Sequence, residues 1–339
     1  MSKSKTVFIG ENRSFWERNR RSEGYLLKRK TKQIIISIAR ALLMFGLCFM
    51  IIQPMLIRFS TGFMEEKDLY DSTIVLVPRH LTLDNYRIVA DLTGLPKSML
   101  NTLWVSLLVS VLQIISCTLV AYGFARYEFP LKKFWFACVV MLIVVPPQTI
   151  QTALYMNFVN FDIFGIFKAL THKTVNLRTS IVPYALMSLT CMGLKNGLYI
   201  YMLRQYFKGV PTSLEEAAYI DGCGTMHTFT KIMLPDAMPT IASCFLFSFV
   251  WQWTDIFYAR NFLTFLDPNK VYADQLSSIV SRMSRYFAKD VGQAVVVPVG
   301  RQQQLISIGV LICCIPLIIL YCFTQKTFVQ SLAMSGSKE

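Results

Sequence analysis

Residues 212–239 read TSLEEAAYIDGCGTMHTFTKIMLPDAMP, a polar and charged island between two long apolar runs. Glu215, Glu216, Asp221, Lys231 and Asp236 are out of place in hydrocarbon, so the island is expected to stand in water and to meet another protein. Leu214, Ala217 and Ala218 fall at i, i+3 and i+4. A short helix here would therefore carry one small apolar face and one acidic face with Glu215. Thr212 or Ser213 can cap its first amides, with Glu215 or Glu216 placed for the reciprocal bond. Gly222 and Gly224 would let the chain turn into a second helix striped by Phe229, Ile232 and Met233, which Pro235 would end. The plainer alternative is an ordinary helix-turn-helix connection between two spans. The agreement of helix start, turn and second stripe across the whole segment weighs against it.

The rest of the chain supplies the membrane. It has 339 residues, 54% hydrophobic and only 16% charged, with a mean hydropathy of +0.45. A span needs about 20 apolar residues to cross roughly 30 Å of hydrocarbon. Six segments qualify: Gln33–Ile57, Asn101–Ala125, Phe134–Asn157, Ser180–Leu203, Ala237–Ala259 and Leu305–Phe323. The fold class expected is an all-α integral membrane protein of six transmembrane helices, with the island as a cytoplasmic helix-turn-helix. Pro146-Pro147 followed by Gln148, Thr149 and Gln151 interrupts the third span, which is tolerable only where the freed backbone is buried in protein or faces water.

Basic residues set the orientation. The arm before the first span carries Lys3, Lys5, Arg13, Arg18, Arg20, Arg21, Lys28, Arg29, Lys30 and Lys32 against Glu11, Glu17 and Glu23, leaving +7 of the formal +14. That arm is expected in the cytoplasm, and alternation then puts Arg126–Lys133, the 212–239 island and the C-terminus there too. The organisation expected is a basic cytoplasmic arm 1–32, a first span 33–57, an extracytoplasmic loop 58–100, a transmembrane domain 101–325 containing 212–236, and a cytoplasmic tail 326–339. Residues 260–304 dissent. They hold six bases against Asp267, Asp274 and Asp290, yet alternation places them outside.

Other classes find little support. The basic arm runs straight into a span, so anchoring beside anionic membrane lipid fits it better than nucleic acid. The apolar run after it is too long for a cleaved leader, so the first span is expected to stay. Eight of the nine cysteines lie in spans, and Cys223 sits in the turn on the reducing side, so no disulfide framework is implied. Neither catalytic residues nor a metal site are expected, His80, His172 and His227 being far apart. No G-x-x-x-x-G-K-[ST] loop occurs, and any ATP hydrolysis must come from a partner.

Glu215-Glu216-Ala217-Ala218, then Asp221-Gly222, Gly224, Ile232, Leu234 and Pro235, resembles the EAA loop of membrane subunits of binding-protein-dependent ABC importers. Further stretches are similar to the carbohydrate-uptake, maltose-type branch: Leu81-Thr82-Leu83-Asp84-Asn85-Tyr86, Asn101-Thr102, Ala121-Tyr122-Gly123-Phe124-Ala125-Arg126, Arg204-Gln205-Tyr206-Phe207 and Gln325-Lys326-Thr327-Phe328-Val329-Gln330. Trp251-Gln252-Trp253-Thr254-Asp255 departs from the branch's usual W-N-x-[FY], and the terminal G-x-x-K-G is only loosely present. The resemblance implies a type I importer permease subunit at the cell membrane that binds no cofactor itself. Its implied partners are a second homologous permease subunit, an ATP-binding cassette ATPase dimer supplying ATP and Mg, an extracellular solute-binding protein and a sugar substrate. Lys195-Asn196 deep in the fourth span, and Trp251 with Trp253, are candidate pathway residues, against the alternatives of a snorkelling lysine and interfacial tryptophans. An importer of a non-sugar solute and a secondary transporter remain as alternatives, the latter weakened because the spans carry no carboxylate except near Asp255.

Overall fold

The computed structural model describes residues 25–336 apart from 72, 75, 163–173, 178–179, 264–265, 267–269 and 292–295. The basic arm through residue 24, Asp267, His172 and the last three residues lie outside the described residues. Residues up to Ser60 form one compact unit and those from Thr61 onward another. Among the described residues the secondary structure is helical, with only isolated bridges at Met64–Leu81 and Phe161–Val175.

The described residues of the first unit lie in one helix, α1, Tyr25–Gly62, whose last two residues belong to the second unit. It starts inside the basic arm rather than at Gln33, because Lys28 to Lys32 are good helix formers and nothing breaks the chain there.

The second unit is built around α3, Leu95–Arg126, which follows α2, Asp84–Thr93, after a left-handed Gly94 (φ 57°). Helix α3 packs along α6 (Val182–Leu189), α7 (Asn196–Gly209) and α10 (Met238–Trp253). Cys117 and Ala121 face Tyr199, Leu203 and Phe207, all wholly or almost wholly buried. Small residues opposite large ones let helices approach closely without a hydrophobic drive from water. Several hydroxyls of α3 return to its own carbonyls, as Thr102 does to Ser98 at 2.7 Å and Thr118 to Ile114 at 2.6 Å. Ser116 lies 2.9 Å from the Gln113 carbonyl of its own helix and also reaches across to the Ser188 carbonyl at 2.6 Å.

Among the described residues three helices are long and apolar enough to cross a membrane, or up to five if each bent pair is one span. The third expected span divides at its prolines into α4, Lys132–Val144, and α5, Pro147–Val159, bent by 105°. The fourth, read from sequence as one span, is also divided. Helix α6 stops at Leu189 and α7 starts at Asn196, with Cys191 (φ 56°) and Lys195 (φ 64°) in the left-handed region between them. No proline marks that break. Its cause is tertiary: the Gln113 amide donates to the Leu194 carbonyl at 2.6 Å and also meets Asn196 Oδ1, while Ser248 donates to Gln113 Oε1 at 2.5 Å. Past the break, Gly197 lies so close to α4 that an added Cβ would stand 2.7 Å from the Val139 carbonyl. The fifth span stops at Trp253 rather than Ala259. The chain restarts as α11, Phe257–Phe262, where Asp255 accepts the Tyr184 hydroxyl at 2.5 Å and the amides of Phe257 and Ala259 at 3.0 and 3.1 Å.

At the end of the bundle away from residues 212–239, α2 packs with α12 (Tyr272–Ser277), α13 (Ile279–Val291) and α14 (Val299–Gly336). Asn85 gives the 81–86 stretch a physical purpose. Its amide donates to the carbonyls of Gly62 and Met64 at 3.0 and 2.9 Å, and its oxygen takes Arg301 at 2.6 Å. The dissenting bases of 260–304 have partners of their own here: Arg260 and Lys270 meet Asp274 at 3.0 and 3.8 Å, and Arg282 donates to the Leu92 carbonyl at 2.7 Å. Such committed bases serve the folded cap. Helix α14 runs well beyond Leu305–Phe323 at both ends, through most of the expected tail.

Candidate functional site: a coupling segment and its root

The 212–236 segment folds as two short helices around one turn. Helix α8, Ser213–Ile220, leads to Gly222 (φ 80°), and α9, Thr225–Asp236, follows with its middle, Phe229–Met233, in the wider π form. A bend of 74° then leads into α10. Gly222 occupies the left-handed region that a β-carbon disfavours, and its amide bonds to the Tyr219 carbonyl at 3.1 Å. Gly224 is different. At φ −76° and ψ 162° it is ordinary extended backbone, so the turn needs one glycine and not two. The second helix ends at Asp236, one residue beyond Pro235 and directly after the π stretch.

Glu215 departs furthest from the sequence reading. It does not sit on an exposed acidic face and caps nothing, since Thr212 takes the Glu215 and Glu216 amides on its backbone carbonyl instead. Glu215 is 7% exposed and points into the bundle. Tyr122 donates its hydroxyl to Glu215 Oε1 at 2.9 Å, and Arg126 Nε stands 3.3 Å from the same oxygen. Arg126 also donates through Nη2 to the Val210 carbonyl at 2.8 Å. Tyr122 packs edge-on to Phe207 at 5.4 Å and tilted against Phe229 at 4.7 Å. One tyrosine thus touches α7, α8 and α9 from the end of α3. A second tie joins α7 to α9, where Tyr206 donates to the Asp236 carbonyl at 2.6 Å and lies 3.0 Å from its carboxylate.

The buried face of α8 is therefore Glu215 and Ala218, and its exposed face is Leu214, Glu216, Ala217, Tyr219 and Ile220. Asp221 is exposed, Ile232 and Leu234 are half-buried, and Pro235 is exposed. Ile220 and Met226, on either side of the turn, are 86% and 67% exposed. This is an apolar, partly charged tip on a rigid root. The Tyr122–Arg126 root was present in the sequence as part of a separate quoted stretch, but no spacing rule joins positions more than eighty residues apart.

Residues 114–333 match the family model described as the binding-protein-dependent transport system inner membrane component. The chain belongs to that family. Over 316 residues this permease is 26% identical to the arabinooligosaccharides transport system permease protein AraQ of Halalkalibacterium halodurans, covering 92% of this chain and 100% of that one. It is 27% identical over 301 residues to the polygalacturonan/rhamnogalacturonan transport system permease protein YtcP of Bacillus subtilis, 87% of this chain and 94% of the relative. Its fold matches a bacterial ABC transporter involved in the import of the acidic polysaccharide alginate, with a TM-score of 0.64 at 18% identity over 88% of this chain and 98% of the other. The permease is thus a multi-pass membrane protein and a transport component.

The candidate pathway residues fall into two groups. Lys195 and Trp251 meet, the ammonium lying 5.0 Å from the ring centroid. Asn196 is buried beside them, with its Nδ2 lacking a hydrogen-bond partner among the described residues. Trp253 does not join them: it is 2% exposed and its indole N–H donates to the Cys313 carbonyl at 3.1 Å, leaving no ring face for a sugar.

Proposed function

We propose that this chain is one membrane-spanning subunit of an ATP-driven sugar importer, and that α8 and α9 carry movement between a separate ATPase and the bundle. The observation that carries this reading is the arrangement around Glu215: an exposed apolar tip whose base is fastened to α3 by an ion pair and a hydrogen bond. A lever transmits displacement only if its root does not yield. Two short helices closed by one left-handed glycine, with Tyr122 wedged between their bases, are such a device.

The sugar assignment is supported by relatives whose names specify arabinooligosaccharides and polygalacturonan/rhamnogalacturonan. The complete importer would include a second homologous permease subunit, an ATPase dimer that binds ATP and Mg, and an extracellular solute-binding protein. A solved relative in complex with a pentasaccharide-bound periplasmic protein supports the last of these. The chain itself would hold no cofactor. The N-terminal arm and the C-terminus would face the cytoplasm of the cell membrane, as its basic charge supports. ATP would close the ATPase dimer, draw the two coupling segments together and open the spans to the outside.

Purification in mild detergent tests the assembly. An ATPase should co-purify, and sugar-loaded binding protein should stimulate its hydrolysis of ATP. Uptake driven by a proton gradient, with no ATPase in the complex, would overturn the reading.

A further inference from the structure

Lys195 stands where a cation is hard to place. From it, α7 runs 14 residues to Gly209, just before the coupling segment, a rise of about 20 Å. Trp251 lies thirteen positions beyond the start of α10, which also leaves the coupling segment, and so at about the same 20 Å height. Two independent helices thus put this pair deep within a hydrocarbon layer of about 30 Å. That leaves roughly 10 Å of hydrocarbon to the far face, and an ammonium facing lipid at such depth is expensive. It must face water or protein.

The local backbone is built to hold it there. Lys195 occupies the left-handed region at the break of the fourth apolar segment, a conformation that costs a lysine free energy, and the Gln113–Asn196–Ser248 network fixes the break. Its ammonium has the Trp251 ring as its neighbour, and no carboxylate lies within ion-pair distance of it among the described residues. Trp251 is 44% exposed, so one part of the ring is covered by the lysine and another is open.

We propose that Lys195 and Trp251 form a subsite for an acidic sugar in the translocation path, the ammonium meeting a uronate carboxylate and the indole stacking on its pyranose ring. This rests on the importer reading and deepens it. A neutral sugar would use the ring but would leave the lysine unmatched; a carboxylate supplies the missing charge, in a site where water is scarce and an ion pair is screened little.

The test uses the whole complex in lipid nanodiscs without binding protein, so that selectivity read there belongs to the membrane subunits. Equilibrium binding of radiolabelled trigalacturonate is compared with that of its methyl ester, which removes the charge at the cost of an added methyl group on each carboxyl. The acid should bind at least about tenfold more tightly, and the preference should survive high salt, because a sheltered ion pair is screened little. Lys195→Asn, whose new side chain also accepts the left-handed backbone, should abolish the preference, and Lys195→Arg should keep most of it. Trp251→Leu should weaken acid and ester by similar factors. Equal binding of acid and ester by the wild-type complex, or an undiminished preference in Lys195→Asn, would overturn the proposal. So would loss of the second permease subunit from the Lys195→Asn complex, which would assign the lysine to a carboxylate across the subunit interface. Failure of the importer reading would look different: no ATPase would co-purify with the wild-type complex.

Discussion

Replacing Glu215 by alanine should uncouple the lever while leaving the spans in place. The substitution strands Arg126, and breaking one side of a buried ion pair costs about 3–5 kcal/mol. It also deprives the Tyr122 hydroxyl of its acceptor, about 1 kcal/mol more. Water can reach this site a little, since the two side chains are 8% and 10% exposed, so the low end, about 3 kcal/mol, is the appropriate figure. At 1.4 kcal/mol per decade that is about a hundredfold shift toward a detached α8. Hydrogen exchange across residues 213–223 in the assembled complex should therefore quicken by about that factor, while α3 keeps its protection. Uptake per ATP hydrolysed in proteoliposomes should fall sharply. Glu215→Gln keeps an acceptor for Tyr122 and loses only the charge, so it should fall between. An assembled Glu215→Ala complex with wild-type exchange at 213–223 and wild-type uptake per ATP would refute the reasoning.

Three further outcomes follow from local geometry. Gly222→Ala meets no atom within 4 Å, so its cost is backbone strain alone, about 1–2 kcal/mol; uptake should drop with normal abundance, and Gly222→Asn should be milder. Gly197→Ala drives a Cβ to 2.7 Å from the Val139 carbonyl, so α7 and α4 must part, and the melting temperature of the purified complex should fall. The third concerns pH. The His80 ring at 2.9 Å and the amides of His80 and Arg79 hold the Asp68 carboxyl below the usual carboxylate range. A lowered carboxyl stabilises the fold above its ordinary pKa of about 4 and loses that contribution as pH falls through the lowered value. Proteolysis within residues 66–80 should accelerate on acidification below about pH 4 and be flat from pH 6 to 8; acceleration in the neutral range would refute the assignment.

Much of this arrangement was legible in the sequence because it rests on local rules. Two adjoining prolines broke the third span where α4 meets α5, and Asp221-Gly222 announced a left-handed turn. The missed features are those fixed by distant partners. The fourth segment reads as unbroken because the groups that break it, Gln113 and Ser248, lie on other helices. Glu215 was assigned to an exposed face on helical spacing, which cannot know that Tyr122 and Arg126 end α3 beneath it. The bases of 260–304 were counted as topology signals, although Arg260, Lys270 and Arg282 have carboxylate and carbonyl partners within the folded cap. Trp253 was grouped with Trp251 as a ring for stacking, but helical rotation turns it into the core.

The central claim is that the exposed tip of the coupling segment meets the ATPase. The most direct measurement is cross-linking in the assembled complex from a photoreactive probe at Ile220, 86% exposed, with a matching probe at Val296, 89% exposed at the other end of the bundle, as the control. The account predicts ATPase adducts from Ile220 whose yield changes with ATP, and none from Val296. Adducts to the ATPase from Val296, with none from Ile220, would contradict it.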